Sequence, residues 1–546
     1  MKKFPALFIS LLSILISFGQ QPKTSPVQRP KLVVGIVVDQ MRWDFLYRYY
    51  DRYGAGGFKR LLNDGFSCEN TMINYIPSFT AVGHAAIFTG SVPAINGIAG
   101  NDWTEQLTGK TLYCTSDTTV QPLGNASAVD GRMSPRNLLT STITDELRLA
   151  TNFQSKVVGV SLKDRAAILP AGHTGNAAYW LDDATGHFIT STYYMKTLPD
   201  WVVKFNDKKR IGQLIANGWN TLYSINTYKQ SDPDSVEYEG KFTGEKNSSF
   251  PHDLKTIYAK SKTSFRQTPF GNTITLEFAR EALDAYQLGR GAATDFLTIN
   301  IASTDYVGHQ YGPNSIEMED TYLRLDKELA DFFQMLDGKI GKGQYLVFLT
   351  ADHGAAHSIG FMRQHELPAD FWFSRPMADT LNKVLAAKFH VSSLVRSIMN
   401  YQVNFDLKKI AAENLDYDVI KKTTTEFLQQ QPGITYAADM AFIGRYPIPE
   451  HLRQMMINGY NYKRSGGVQI ILTAGWFDTF SRTGTTHGTW NAYDTHIPLL
   501  WYGWKIKPGK SNHECYMTDI APTLAALLHI QMPNGSIGKV IDDVVK

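Results

Sequence analysis

Three cysteines in 546 residues are too few for a disulfide framework. Cys68, Cys114 and Cys515 also lack the CxxC spacing that builds a thiolate metal site. At most one disulfide can form among them, and the spacing does not choose a pair. Charge of either sign is scarce and balanced: 54 basic against 51 acidic residues leave a net +3. With no long basic run, nucleic acid is excluded as the main partner. Charged residues make up 19% of the chain and apolar residues 43%, which excludes disorder as its main description and leaves material for a large core. Past the first twenty residues, no apolar run is long enough for a membrane span. The length implies one large α/β domain with insertions, or two to three domains.

The N-terminus reads as an export signal. Lys2 and Lys3 form a basic start, and residues 7–18 (LFISLLSILISF) an apolar segment. Twelve residues rise only about 18 Å as a helix, against about 30 Å of hydrocarbon. Small residues at Ser17 and Gly19 suit cleavage after Gly19. A signal peptide over 1–19 and a Pro/Gln/Ser-rich linker over 20–30 are therefore expected. An N-terminal membrane anchor is the competing reading. The expected mature protein is exported and soluble, with no membrane span.

From 31 to 546 the pattern is that of one α/β catalytic domain. Residues 32–38 (LVVGIVV) are continuously apolar and β-branched, as in a strand buried on both faces. Similar runs recur at 156–162, 295–303, 345–350 and 497–502, with helical patterns between them, among them 316–336 and 522–528. The alternation predicts a mostly parallel central sheet with helices on both faces. Two stretches break the rhythm, about 180–265 and 360–465, and are expected to be inserted cap or accessory regions.

Polar residues follow the buried strands. The first run ends at Asp39, the third leads to Thr304, Asp305 and His309, and the fourth to Asp352-His353-Gly354. Sites in open α/β sheets form outside the carboxyl ends of strands, so these groups should converge. Each alone is weak. Asp39 alone reads more readily as a turn or cap residue than as a ligand, and DxxxH recurs by accident. The adjacent Asp352-His353 pair is stronger, and His487 sits in a Gly/Thr loop that gives no packing reason for a histidine. The other eleven histidines read as surface or satisfied core residues. Three Asp and three His make two three-ligand sets, each with an open position, and oxygen and imidazole donors suit catalytic zinc. Two such ions about 4 Å apart would clamp the attacking and leaving oxygens of an in-line phosphoryl displacement. Thr80 lies where an extended segment turns into a helix, a place that favours an anion. It reads either as a nucleophile or as an ordinary N-cap. By spacing alone, Lys163 and Arg165 are a solvated pair beside Asp164.

Taken in order, Asp39, Thr80, Asp305/His309, Asp352-His353 and His487 resemble the alkaline phosphatase superfamily, as does the closing Met517-Thr-Asp-Ile-Ala-Pro-Thr523 segment. The segments KLVVGIVVDQMRWD, FTGSVPAINGIAGNDW, VVGVSLKDRAAILPAGH, NIASTDYVGHQYGPNS and ADHGAAHSIGF are similar to the secreted PafA-type alkaline phosphatases of bacteria. The likeness covers nearly the whole mature chain and is weakest between about 365 and 455. It implies an alkaline-phosphatase-like fold and two zinc ions per chain, one held by Asp305, His309 and His487, the other by Asp39, Asp352 and His353. It also implies Thr80 as nucleophile, with Asn101, Lys163 and Arg165 contacting phosphate oxygens. The expected reaction is hydrolysis of small phosphate monoesters through a phosphothreonine, in a monomer. A phosphodiesterase of the nucleotide pyrophosphatase type is the nearest alternative. A sulfatase lacks its Cys/Ser-x-Pro-x-Arg motif here, and a catalytically dead binding scaffold would not need the full residue set.

Overall fold

The computed structural model describes residues 27–124, 128–479 and 481–546. The expected signal peptide and the start of the linker lie outside the described residues. Four strands form the centre of the main sheet: β1 (Leu32–Val38), β2 (Val157–Val160), β3 (Asp295–Ile301) and β4 (Tyr345–Thr350). Each is buried along its whole length, which is why apolar residues dominate all four. β1 lies between β3 and β4, with β2 beyond β3, all parallel. The sheet grows to ten strands among the described residues by adding edge strands on both sides. Beyond β2 come Ala177–Asp182, His187–Ser191 and Pro122–Leu123, and beyond β4 come Leu499–Gly503, Phe66–Cys68 and Gly509–Ser511.

Two boundaries differ from the sequence reading. The run at 497–502 is interrupted: His496–Ile497 joins a small sheet and Leu499–Gly503 pairs antiparallel with β4. Pro498 between them has no N–H to give a ladder, and its carbonyl instead accepts from Thr350 Oγ1 at 2.8 Å. The stretch from about 180 begins inside the main sheet, since Ala177–Asp182 pairs with β2 and His187–Ser191 pairs back onto it. The second irregular stretch carries a separate four-stranded sheet that reaches past 465 to Val468–Leu472. Leu381, Leu385, Ile420, Val403 and Val468 give that sheet its own apolar core.

Four helices shape the working end: α1 (Thr80–Thr89), α2 (Asp164–Ala171), α3 (Ser303–Tyr311) and α4 (Ile316–Leu336). All ten residues of α1 are buried. Gly83 permits this, because a Cβ there would collide with the Asp352 carbonyl. The register pairs Val38 with Ile301 and Val37 with Thr350, so the chain leaves β1, β3 and β4 at one level. No described helix is long and apolar enough to cross a membrane.

Candidate active site

The common level of the strand ends brings the sequence candidates together. Asp39 follows β1 directly, Asp305 and His309 lie one turn apart on α3, and Asp352-His353 follows β4. His487 arrives from a loop far along the chain. Its Nε2 stands 3.7 Å from Asp305 Oδ1, and His309 Nε2 stands 3.1 Å from the same oxygen. On the other side, His353 Nε2 is 3.3 Å from Asp352 Oδ2 and 3.6 Å from Asp39 Oδ1. Ligands at zinc distances around a tetrahedral ion stand about 3.3 Å from one another.

The donor chemistry fits a cation. All three imidazoles turn Nδ1 to a backbone carbonyl: His309 to Thr485 at 2.9 Å, His487 to Ser78 at 2.8 Å, His353 to Gly354 at 3.0 Å. Nδ1 donates in each, so the three Nε2 atoms face inward, the arrangement that orients metal ligands. Burial lowers the His309 pKa, but the Asp305 carboxylate outweighs this and leaves it raised. Burial holds His353 down to about pKa 4 and His487 well below its usual value, so both rings are neutral. The carboxylates complement them. Asp352 Oδ1 accepts from the Gln40 and His353 amides, and Asp39 Oδ2 from Lys163, while Asp39 Oδ1 and Asp352 Oδ2 are buried with no donor. Bare buried carboxylate oxygens cost several kcal/mol unless a cation or a proton meets them, and burial, with Asp39 beside it, pushes the Asp352 pKa well up. Two groups of possible ligand atoms fall within 4.8 Å of one another: Asp305/His309/His487, and Asp39/Asp305/His353. Asp305 thus stands between the groups, and Asp352 touches the second through His353.

Thr80 is the first residue of α1, and Phe79 takes the N-cap position without a side-chain cap. The N-cap reading of Thr80 therefore does not describe it: its hydroxyl caps nothing and lies 3.4 Å from His353 Nε2. Asn101 accepts from the Ala81 amide through Oδ1 at 2.9 Å, which aims its NH2 away from the helix. Lys163 occupies the N-cap position of α2 and Arg165 its first turn. Lys163 is not the solvated residue its spacing suggests. Its buried Nζ donates to Asp39 Oδ2 at 2.8 Å and Asp305 Oδ2 at 2.6 Å, bridging the two groups, and lies 4.8 Å from the centre of the Tyr306 ring. Arg165 donates to the Tyr113 hydroxyl at 3.1 Å. Beside His309 and His487 opens a cavity of about 530 Å³, walled by Phe79 and Tyr401 on one side and Thr485 and Thr486 on another.

Two neighbours carry no sequence signal that singled them out. Gln40, next to Asp39, sits at φ 61° and is buried. Its side chain donates to Asp305 Oδ1 at 2.7 Å while its backbone N–H holds Asp352 at 3.1 Å. Gly308 in the DYVGH segment is required there, because a Cβ would strike Gln40 Oε1. His84, one turn along α1, bonds the Thr80 carbonyl at 2.9 Å and is a buried core histidine. The three cysteines are buried thiols.

Parallel strands ending on a ring of carboxylates and imidazoles, with a hydroxyl at a helix start, define the alkaline-phosphatase fold and its hydrolase class. Comparison with known proteins agrees. The chain is 56% identical to alkaline phosphatase PafA of Elizabethkingia meningoseptica over 98% of each protein. It is 54% identical to alkaline phosphatase PhoV of Synechococcus elongatus, over 96% of this chain and 95% of that one. The crystal structure of wild-type PafA superposes with a TM-score of 0.94, covering 95% of this chain and all of that one. The family model for type I phosphodiesterase / nucleotide pyrophosphatase matches residues 33–496, and the chain belongs to that family, within the alkaline phosphatase superfamily. Its full-length relatives identify it as an enzyme, an alkaline phosphatase.

Proposed function

We propose that the chain hydrolyses phosphate monoesters to alcohol and inorganic phosphate through a phosphothreonine at Thr80, with two zinc ions. The observation that carries this reading is the inward set of three Nε2 atoms and two donorless carboxylate oxygens beside the Thr80 hydroxyl. Asp305, His309 and His487 would hold one ion, and Asp39, Asp352 and His353 the other. Bound there, the pair would supply Lewis acidity to an attacking and a departing oxygen. The chain does the rest. The start of α1 presents Thr80 Oγ1 at the positive end of the helix, where Asn101 already holds the Ala81 amide, and that end favours an arriving dianion. The Oγ1–P bond forms as the P–O bond to the alcohol breaks, and water then cleaves the phosphothreonine to return Thr80. The Asn101 NH2, the Lys163 ammonium and the Arg165 guanidinium would meet the three free oxygens of a monoester. The cavity beside His309 offers room for the leaving alcohol, broad in what it accepts.

The family name points equally to diesters, and the two substrates differ in charge. A diester has one charge less and a second organic group, so it gains less from Lys163 and Arg165. The test is kcat/KM for p-nitrophenyl phosphate against its methyl diester, on zinc-loaded protein with a chelated control. A strong, chelator-sensitive preference for the monoester is expected; a preference for the diester moves the enzyme to the phosphodiesterase branch. Residues 1–19 would direct export to the periplasm, where the enzyme would act as a monomer.

A further inference from the structure

Arg165 is a long, flexible cation with one hydrogen-bond partner among the described residues, and that partner is neutral. Asp164, its neighbour in sequence, forms no ion pair with it. One Asp164 oxygen accepts from the Tyr113 hydroxyl at 2.7 Å, and the other from Thr115 Oγ1 at 2.5 Å. The phenol stands between the two charges, accepting from Arg165 Nη1 and donating to Asp164. Asp164 is thereby fixed without neutralising the guanidinium, whose charge remains available to an anion. The backbone gives Tyr113 a second connection to the site. Strands Asp102–Thr104 and Thr111–Tyr113 form a hairpin in which Tyr113 lies opposite Asp102, and the Cys114 amide donates to the Asn101 carbonyl at 2.9 Å. One end of one hairpin therefore presents Asn101 directly and holds Arg165 through Tyr113.

We propose that Tyr113 is a positioning residue that fixes Arg165 for the phosphoryl group and so sets the preference for monoesters over diesters. This rests on the reading that Arg165 contacts a substrate oxygen. A misplaced guanidinium costs most where the bound group is a dianion with three free oxygens. The neutral phenol suits the task better than a carboxylate would, since it orients the cation without cancelling it.

The experiment compares wild type, Tyr113→Phe, Arg165→Ala and the double variant, all zinc-loaded. Each is assayed with p-nitrophenyl phosphate, its methyl diester, and inorganic phosphate as inhibitor. Tyr113→Phe keeps the ring and removes only the hydroxyl. It should lower monoester kcat/KM roughly tenfold and weaken phosphate inhibition by a similar factor. The diester should change by less than about threefold, and Tyr113→Phe should add nothing in the Arg165→Ala background. Equal losses on both substrates, or an undiminished loss without Arg165, would overturn the role of Tyr113. If Arg165→Ala itself costs both substrates equally, the reading of Arg165 falls and takes the inference with it. Should Tyr113→Phe fail to fold, Thr115→Val loosens Asp164 from the opposite side, and the same monoester-selective loss is expected in smaller measure.

Discussion

Asp39, Asp352 and His353 have side chains 0% exposed, whereas His309, across the same site, is 36% exposed. The closed set is built from residues at the ends of β1 and β4, next to the fully buried α1. The open set draws on a helix turn and on a loop nearly two hundred residues later. Its support is peripheral as well: the Gly240 amide donates to the Gln310 carbonyl at 2.6 Å, and the Gly484 amide to the Tyr238 carbonyl at 2.7 Å. Under the proposed reaction, the sealed side, with Thr80 beside it, would take the attacking oxygen, and the side facing the cavity a departing group that differs between substrates.

If Thr80 belongs with the closed set as nucleophile and not as ligand, Thr80→Ala should cut turnover by roughly 10⁴-fold or more. Zinc, measured by elemental analysis, should stay near two per chain; near-wild-type turnover would break the assignment. The sets should next separate in stability. His353→Ala opens a cavity in a sealed site and removes one of its donors, and should cost about 2–5 kcal/mol in denaturant unfolding. His309→Ala should cost far less, and added imidazole should restore part of its activity, because solvent reaches that position. Equal rescue at both sites would erase the comparison. Lys163 bridges the sets, so replacing Lys163 and Arg165 with Ala should lower monoester kcat/KM by roughly 10²–10³-fold and diester kcat/KM much less. Gln40 is the other bridge, and Gln40→Ala should weaken zinc affinity by about 10–100-fold, read by competition with a chelating dye.

The smallest effect concerns the segment behind the open set. His252 lies between Glu245 and Glu317, at 2.9 and 3.3 Å. Burial pushes its pKa down, but the two carboxylates outweigh this and raise it to about 9. The stabilisation is complete below the free value of about 6.5 and is lost as pH rises through about 9. The melting temperature should therefore fall modestly between pH 7 and pH 9.5, and His252→Gln should flatten that dependence.

The convergence of Asp39 with Asp352-His353 was legible because the rule that finds it is local: a β-branched run followed by an acid or an Asp-His pair. Asp305 and His309 follow from the same rule plus one helix turn. His487 was visible as a histidine in a Gly/Thr loop without a packing role, but only the fold carries it to Asp305. Gln40 and Tyr113 could not be read. Gln40 acts through a left-handed backbone turn, and Tyr113 through its register opposite Asp102 in the hairpin. The break at Pro498 was readable in principle, since proline cannot continue a ladder inside a sheet. The start of the first irregular stretch was not, because edge strands 177–191 share the Tyr/Trp-rich composition of the segment that follows.

Anomalous diffraction at the zinc edge from crystals grown with zinc tests the central claim most directly. Two peaks are expected, one among Asp305, His309 and His487 and the other among Asp39, Asp352 and His353. The first should fade sooner when the crystal is soaked in chelator. A single peak, or peaks away from these side chains, would contradict the account.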